Sequence, residues 1–537
     1  MKNTSAASHA SSGPTLSRRE FLYRAAAVGG TGLLLNTLNA WGASVGSTEN
    51  GPPALSGDGK GKTIIILGAG LAGMTAAYEL GKLGYTCRIL EARDFAGGRC
   101  QTARKGFTLK EYGGEEQVCQ FDEGQYINHG PWRIPYNHQS TLHYTKLFQV
   151  PLEIMVNDND VAWVYREGAP GPLLNRRVRQ LEIKADMRGH VAELLAKAVK
   201  DDKLDNELTV EDKRLLLNYL AHEGHLSKND LKYRGGEGRG FKVYPGAGTD
   251  PGPGMESDPL GFKELLGSEL GNVYSGVHEI WQQATMFQPV GGMDSIAKAF
   301  EKRVGKDIRY GTIVQAIRQQ EDGVSIDYRD AVTGATGSVH GDFCLCTLPL
   351  SVMGSIANDF SPQFKEALRA APYLPVGKIG LQMKRRFWEE DDFIYGGHIR
   401  TNFQGIGDIT LPSTGWQSQK GVLLGYYNFA SQATEISAMS LQERTDFALA
   451  AGQKIFPSYR ESCEAAFSVA WHRVPYNLGG WATWTPEARK TAYPLLWQGE
   501  GRVLLAGEHM SYLGGWQAGA IESAWQQVAK IHQRMGA

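Results

Sequence analysis

The sequence predicts a chain that is α/β in one part and α+β in the other. A doubly wound parallel-sheet domain is interleaved with a mixed-sheet domain and interrupted by a helical insertion. Three observations carry this. "KTIIIL", "GAGLAG", "MTAAYELGKLG" and "YTCRIL" run in strand, turn, helix, strand order from Lys62 to Leu90. From Leu181 to Leu231 charged and apolar residues alternate at helical spacing. From about Gly311 short strand-like runs take over, "VSIDYRD", "FCLCTLPL", "KIGLQMKRRFW" and "GVLLGYYNFA", before a closing strand "RVLLAGEH" and helix "GWQAGAIESAWQQVAKIHQRM".

Taken in order, "TIIIL" is a run of β-branched and apolar residues bounded by a glycine turn, the pattern of a strand buried on both faces. Gly68, Gly70 and Gly73 form G-x-G-x-x-G at the strand's end and the helix's start. Gly68 permits the tight turn, Gly70 lets a pyrophosphate approach the backbone, and Gly73 lets helix pack closely on strand. The helix N-terminus then offers free N–H groups to phosphate. Glu91, 18 residues beyond Gly73 at the end of the second strand, is placed to accept hydrogen bonds from a ribose. In the helical region Thr209 and Asp212 form a capping box ahead of "RLLLNYL". Residues 236–254, "GEGRGFKVYPGAGTDPGPG", hold seven glycines and three prolines, which predicts irregular backbone, either a lid or a connector.

The chain has 537 residues, enough for two or three domains, with 42% apolar and 21% charged residues as in globular proteins. With 56 Lys and Arg against 57 Asp and Glu, net charge −1, nothing electrostatic points to nucleic acid or to an anionic membrane. The six cysteines include no C-x-x-C, and "HEGH" (His222 to His225) lacks zinc-protease spacing, so no metal site is expected. "SRREFL", followed by a mildly apolar run from Ala25 to Leu38, resembles a twin-arginine export signal, here assigned to 1–43. The run is too short and too rich in Gly and Ala to span a membrane well. Export by that machinery predicts a periplasmic or secreted protein loaded with its cofactor before transport. Residues 44–61 read as a Gly, Pro and Ser linker.

"EARDFAGGRC" extends the glycine motif. Glu91, Arg93, Gly97, Gly98 and Arg99 resemble the E-x-R-x-x-x-G-G-R element of the flavin amine oxidase family, which includes L-amino acid, monoamine and polyamine oxidases. The resemblance continues at "QPVGGMDSIAKAF" (Gln288 to Phe300), at Val314, at "RVLLAGEH" with Gly507 and Glu508, and at "GGW" (Gly514 to Trp516). It implies FAD as cofactor and a Rossmann-like FAD-binding domain of the glutathione reductase and amine oxidase type. That domain is expected over 62–107, 286–372 and 495–537, a substrate-binding domain over 108–175 and 373–494, and the helical insertion over 176–285. The resemblance also places Leu71, Ala72, Ala92, Gly130, Pro131, Trp132, Arg133, Trp471, Gly515 and Ile521 around the cofactor.

Within "GPWRIPYNH", Arg133 stands in an otherwise apolar segment, where a cation needs an anionic partner. The segment resembles the G-P-x-R-h-P element of L-amino acid oxidases, whose arginine pairs with the substrate carboxylate; the alternative is an internal bridge to an acid such as Asp122 or Glu123. By the same resemblance Tyr426 adds a hydroxyl to the carboxylate. Its neighbour Tyr427 faces the other side of a strand, so only one of the two serves. Trp471 and Trp516 flank the flavin, the Trp481 carbonyl takes the substrate amine, and Lys378 holds a water beside flavin N5, leaving Lys378 and Trp516 nearest the chemistry. His138 is read as a hydrogen-bonded core histidine, with proton acceptor as the alternative. The expected reaction is oxidation of an L-amino acid by hydride transfer to the flavin and then to oxygen, giving a 2-oxo acid, ammonia and hydrogen peroxide. An amine or polyamine oxidase and a decarboxylating monooxygenase stay open, as do side-chain specificity (Trp481 and Trp516 for apolar side chains, Glu237 or Asp258 for basic ones) and oligomeric state, although such folds often associate as dimers.

Overall fold

In the computed structural model, residues 51–536 are described, except 170, 202, 204–207 and 273–279. The segment 1–43, expected to be a twin-arginine signal, lies outside the described residues. At the centre of the first layer is a five-stranded parallel sheet ordered Ile308–Arg309, Thr86–Leu90, Thr63–Leu67, Phe343–Cys346, Val503–Leu505. Ile64 to Leu67 are fully buried, and each such side chain contributes about 1.5–3 kcal/mol by leaving water. The helix Leu71–Lys82 packs against the C-terminal helix Gln517–Arg534 on one face of this sheet. Gly73 is what permits the close fit below it: a Cβ there would lie 2.1 Å from the Gly68 carbonyl oxygen. Gly68 itself has φ +97°, the left-handed region a side chain disfavours.

The second layer is a seven-stranded mixed sheet ordered Arg177–Arg179, Trp163–Tyr165, Gly397–Phe403, Ile406–Leu411, Gly421–Phe429, Val376–Met383, Cys463–Ala470. The strand Val376–Met383, next to the edge strand Cys463–Ala470, is buried along its whole length, including Lys378. The helices Gln180–Lys200 and Val210–Glu223 follow the first edge strand. Thr209 caps the second of them, its hydroxyl accepting from the Asp212 amide at 3.1 Å while the Asp212 carboxylate accepts from the Thr209 amide at 2.9 Å.

The Gly- and Pro-rich stretch is more ordered than its composition predicts. Phe241–Val243 and Met255–Glu256 form a short antiparallel hairpin, because "FKV" supplies strand-forming residues between the glycines. Arg239 fastens its near end to the helical region, donating to Asp186 at 2.6 and 2.9 Å with both side chains buried.

Candidate active site

Between the two layers lies a cleft of about 490 Å3. One end is the glycine turn with Gly68, Gly70, Leu71 and Ala72; the wall continues through Glu91, Ala92, Arg93, Gly98 and Arg99, and through Thr312 to Gln315 with Val314 among them. The other end is made by Gly130, Pro131, Lys378, Tyr427, Trp471, Trp481, Gly507, Glu508, Gly515 and Trp516. Residues more than 400 positions apart thus face one space.

The glycine turn is prepared for an anion. Gly70 caps the helix Leu71–Lys82 without any side-chain hydrogen bond to the first turn, and a Cβ built on Gly70 meets nothing within 4 Å. Backbone N–H groups and the positive end of the helix dipole are therefore open toward the cleft. Glu91 braces the turn, its carboxylate accepting from the Ala69 amide at 2.8 Å and the Arg93 amide at 3.0 Å. Arg99 donates to Glu508 at 2.9 Å and to the Gly480 carbonyl at 2.5 Å, and Glu508 also accepts from the Ala482 and Gly515 amides, both at 3.2 Å. This pair ties three distant segments together at the cleft's middle.

Aromatic side chains close the far end. Trp471 stacks on His129 at 5.6 Å and donates its indole N–H to the His129 carbonyl at 2.8 Å. Trp481 packs beside Gly515 and 5.8 Å from Phe429. Its carbonyl, expected to hold a substrate amine, accepts from the Leu374 amide at 2.9 Å, so only its second lone pair is free for that task. Trp516 precedes the C-terminal helix and meets the His138 ring edge-on at 4.8 Å.

Lys378 is 1% exposed and has no acid partner among the described residues. Its ammonium position donates to the Gly130 carbonyl at 2.5 Å and the Asn128 carbonyl at 3.4 Å, and sits 4.3 Å from the Tyr427 ring centroid. Burial, with the charge of Arg133 pushing the same way, holds its pKa well below the ordinary lysine value.

Arg133 lies beyond Trp516, its guanidinium 5.7 Å from the indole centroid. It does not line the main cleft. Nη2 donates to the Gln282 amide oxygen at 2.7 Å, and the buried Nε has no partner. The internal bridge is not formed: Asp122 pairs with Lys420 at 2.7 Å and Glu123 is exposed. Asp408, whose charge reaches Arg133, is instead 3.6 Å from Arg400.

Several expected contacts fall elsewhere. Tyr426 is 1% exposed in the core with Ile379, Leu423 and Ile455, and its hydroxyl turns to Ser468. Tyr427, the other member of the pair, faces the cleft opposite Lys378 across the ladder. Burial pushes its phenol up to about 12, with Arg133 acting in the opposite sense. Ile521 is fully buried in the core beneath the helix; Gln517 and Ala520 occupy the cleft face in its place. Gly73 acts in packing alone, and Trp132 packs with Phe121 and Val422 behind the wall, 5.4 Å from Lys378. His138 is buried but not hydrogen-bonded through Nε2, and burial pulls its pKa down to about 4. Gln282 was not foreseen; no local pattern marks it.

A glycine-cradled cleft opening onto an aromatic chamber defines a dinucleotide-dependent oxidoreductase. The model of the family described as flavin containing amine oxidoreductase matches residues 71–532, and the chain belongs to that family. It is 27% identical over 487 residues to the YobN protein of Bacillus subtilis (strain 168), covering 88% of this chain and 95% of that one. It is also 27% identical over 493 residues to an L-amino-acid oxidase of Siganus canaliculatus, covering 88% and 85%. Among solved structures, cyclohexylamine oxidase from Brevibacterium oxydans IH-35A superposes with a TM-score of 0.58 at 16% identity, covering 89% of this chain and all of that one, a likeness of fold.

Proposed function

We propose that the chain is an FAD-dependent L-amino acid oxidase. The observation that carries this reading is Arg133: a part-buried guanidinium whose Nε is fully enclosed, held by one neutral acceptor, with no carboxylate partner among the described residues. Such a group is costly unless an anion arrives with the ligand. The open helix N-terminus at Gly70 fits a pyrophosphate, Glu91 a ribose, and the helix beginning at Gln517 the end of a flavin where negative charge builds. When bound, the flavin supplies the acceptor for the two electrons and the hydrogen from the substrate's Cα.

The chain's own residues supply the rest. Arg133 takes the α-carboxylate, with the Tyr427 hydroxyl as the second donor that Tyr426 was expected to be. Removal from bulk water lowers the pKa of the substrate amine, and its proton passes to water, leaving the amine neutral as its oxidation to an imine requires. Trp471, Trp481 and Trp516 exclude bulk water and fix the plane in which the Cα can lie. Lys378, whose pKa burial and Arg133 hold well below the ordinary lysine value, is placed to hold a water at the chamber wall. Hydrolysis of the imino acid gives the 2-oxo acid and ammonia, and oxygen leaves as hydrogen peroxide.

Anaerobic bleaching of the bound flavin by a panel of L- and D-amino acids and their decarboxylated amines tests this. Rapid reduction by an L-amino acid, with the matching amine far slower, is expected. Reduction by the amines alone makes the chain an amine oxidase, and formation of the amide product makes it a monooxygenase. We also propose export through the twin-arginine route, for which fractionation of the native host, with activity in the periplasm or medium, is the measurement.

A further inference from the structure

Arg133 is not simply free: a directed hydrogen-bond relay fixes it. Gln282 Oε1 accepts from Arg133 Nη2 at 2.7 Å and from Asn157 Nδ2 at 3.3 Å. Asn157 Oδ1 meets His398 Nε2 at 3.0 Å, and His398 Nδ1 meets the Thr410 hydroxyl at 2.8 Å. Because Asn157 uses its nitrogen on Gln282, its oxygen must accept; His398 Nε2 then carries the proton and Nδ1 accepts from Thr410. Every link is neutral: burial, with Arg133 and Arg400 adding to it, keeps the His398 pKa well below the ordinary histidine value. Asn157 and Thr410 are buried, and the relay is rooted in the strands Gly397–Phe403 and Ile406–Leu411 of the seven-stranded sheet. Because its oxygen accepts from both Arg133 and Asn157, the Gln282 amide cannot flip without breaking both bonds.

We propose that Gln282 is a positioning and specificity-determining residue, a neutral acceptor that orients Arg133 without neutralising it and so reserves the guanidinium charge for the substrate's α-carboxylate. The proposal rests on the carboxylate reading of Arg133 given above. A carboxylate at position 282 would satisfy the same geometry and remove the selectivity, because the cation would already be paired. With the neutral relay from Thr410, no charge is needed on that side: orientation comes from hydrogen-bond direction, and charge is left to the ligand.

The test uses the flavin-loaded full-length protein and two readouts: the Kd of benzoate, a simple carboxylate, from its perturbation of the flavin spectrum, and steady-state kinetics on the best L-amino acid and its amine. Gln282→Glu is expected to weaken benzoate about 100-fold and raise KM for the amino acid by a similar factor, because the buried charge pair forms internally, with kcat within about threefold. Gln282→Met, which removes the acceptor but adds no charge, is expected to weaken benzoate only about tenfold. Unchanged flavin content and thermal midpoint show that both variants fold. Benzoate affinity in Gln282→Glu within about threefold of wild type overturns the proposal while leaving the carboxylate reading intact. Wild-type protein that binds no benzoate and is reduced only by amines overturns both.

Discussion

Arg133→Met isolates the carboxylate contact. Methionine keeps the length and apolar body of the side chain but carries no donor. In the wild type the guanidinium is part-buried beside Trp516, the enclosed Nε has no protein partner, and Nη2 donates to a neutral amide. The contact therefore belongs with desolvated charge pairs rather than with exposed ones, which are worth about 0–1 kcal/mol. Truncating one partner of a buried, hydrogen-bonded pair costs about 2–5 kcal/mol. At about 1.36 kcal/mol per decade, that is a loss of about 30- to 5,000-fold in kcat/KM for the best L-amino acid. The lower part of that range is expected, since Tyr427 still offers a hydroxyl. The loss should fall on KM, and the small activity on the matching amine should not fall with it. Folding should be unharmed, since the substitution removes a cation held by one neutral acceptor. Anaerobic stopped-flow reduction with the amino acid and the amine reads both quantities. A variant that oxidises the amino acid within fivefold of wild type, or that loses amine and amino acid equally, would refute the reasoning.

Tyr427→Phe should raise KM for the amino acid by about two- to tenfold, the worth of one hydrogen bond at about 0.5–1.5 kcal/mol, whereas Tyr426→Phe should leave KM unchanged and be felt only in the unfolding midpoint. Lys378→Met should slow reaction of the reduced enzyme with oxygen in a stopped-flow reoxidation trace and yet raise the thermal midpoint, because the wild-type lysine is penalised by burial. Its folded pKa lies below 10.5, so between the two values the unfolded chain binds more protons and wild-type stability rises with pH; the variant's advantage should be greatest below that window and shrink as pH approaches 10.5. His138 has a folded pKa of about 4 against an unfolded 6.5, so its neutral burial costs stability as pH falls from 6.5 to 4, by about 3 kcal/mol at 1.36 kcal/mol per unit. Urea unfolding of His138→Asn should accordingly lose less stability between pH 7 and pH 4 than wild type.

What was legible in the sequence was whatever short-range geometry dictates. The run Thr63 to Leu67 could be read as a buried strand because every residue is apolar or β-branched, and Gly68 and Gly73 because a side chain at either meets backbone or strains it. The Thr209 cap was legible for the same reason: its partner is three residues away. Tyr426 against Tyr427 was not decidable this way. Alternation says that they face opposite sides, but which side meets the cleft depends on how the seven-stranded sheet stacks, and a register shift beside Gly425 moves the pairing from Tyr426 with Ile379 to Leu424 with Gly380. Ile521 was misplaced because a helix's two faces look alike until the neighbour beneath is known. Gln282 left no trace at all, since its partner is 149 positions away and its meaning comes only from the contact.

The treatment of buried charge elsewhere in the chain gives Arg133 its force. Arg239 is met by Asp186 at 2.6 Å, Arg386 by Glu389, and Arg444 by Glu111 at 2.8 Å, all with both partners nearly inaccessible. Burying an arginine in this fold therefore comes with burying an acid beside it, as the desolvation penalty demands. Buried Lys378 in the cleft wall and part-buried Arg133 beyond Trp516 have no acid at ion-pair distance among the described residues, and they have different ways out. Lysine can shed its proton, and burial beside Arg133 drives Lys378 that way. A guanidinium cannot, even though burial pulls its pKa down. Among the described residues no carboxylate lies at ion-pair distance from Arg133 and its acceptor Gln282 is neutral, so on the proposed reading its charge is left for the ligand, and an amine that carries its own carboxylate answers it while presenting an oxidisable C–N bond to the chamber between Trp481 and Trp516.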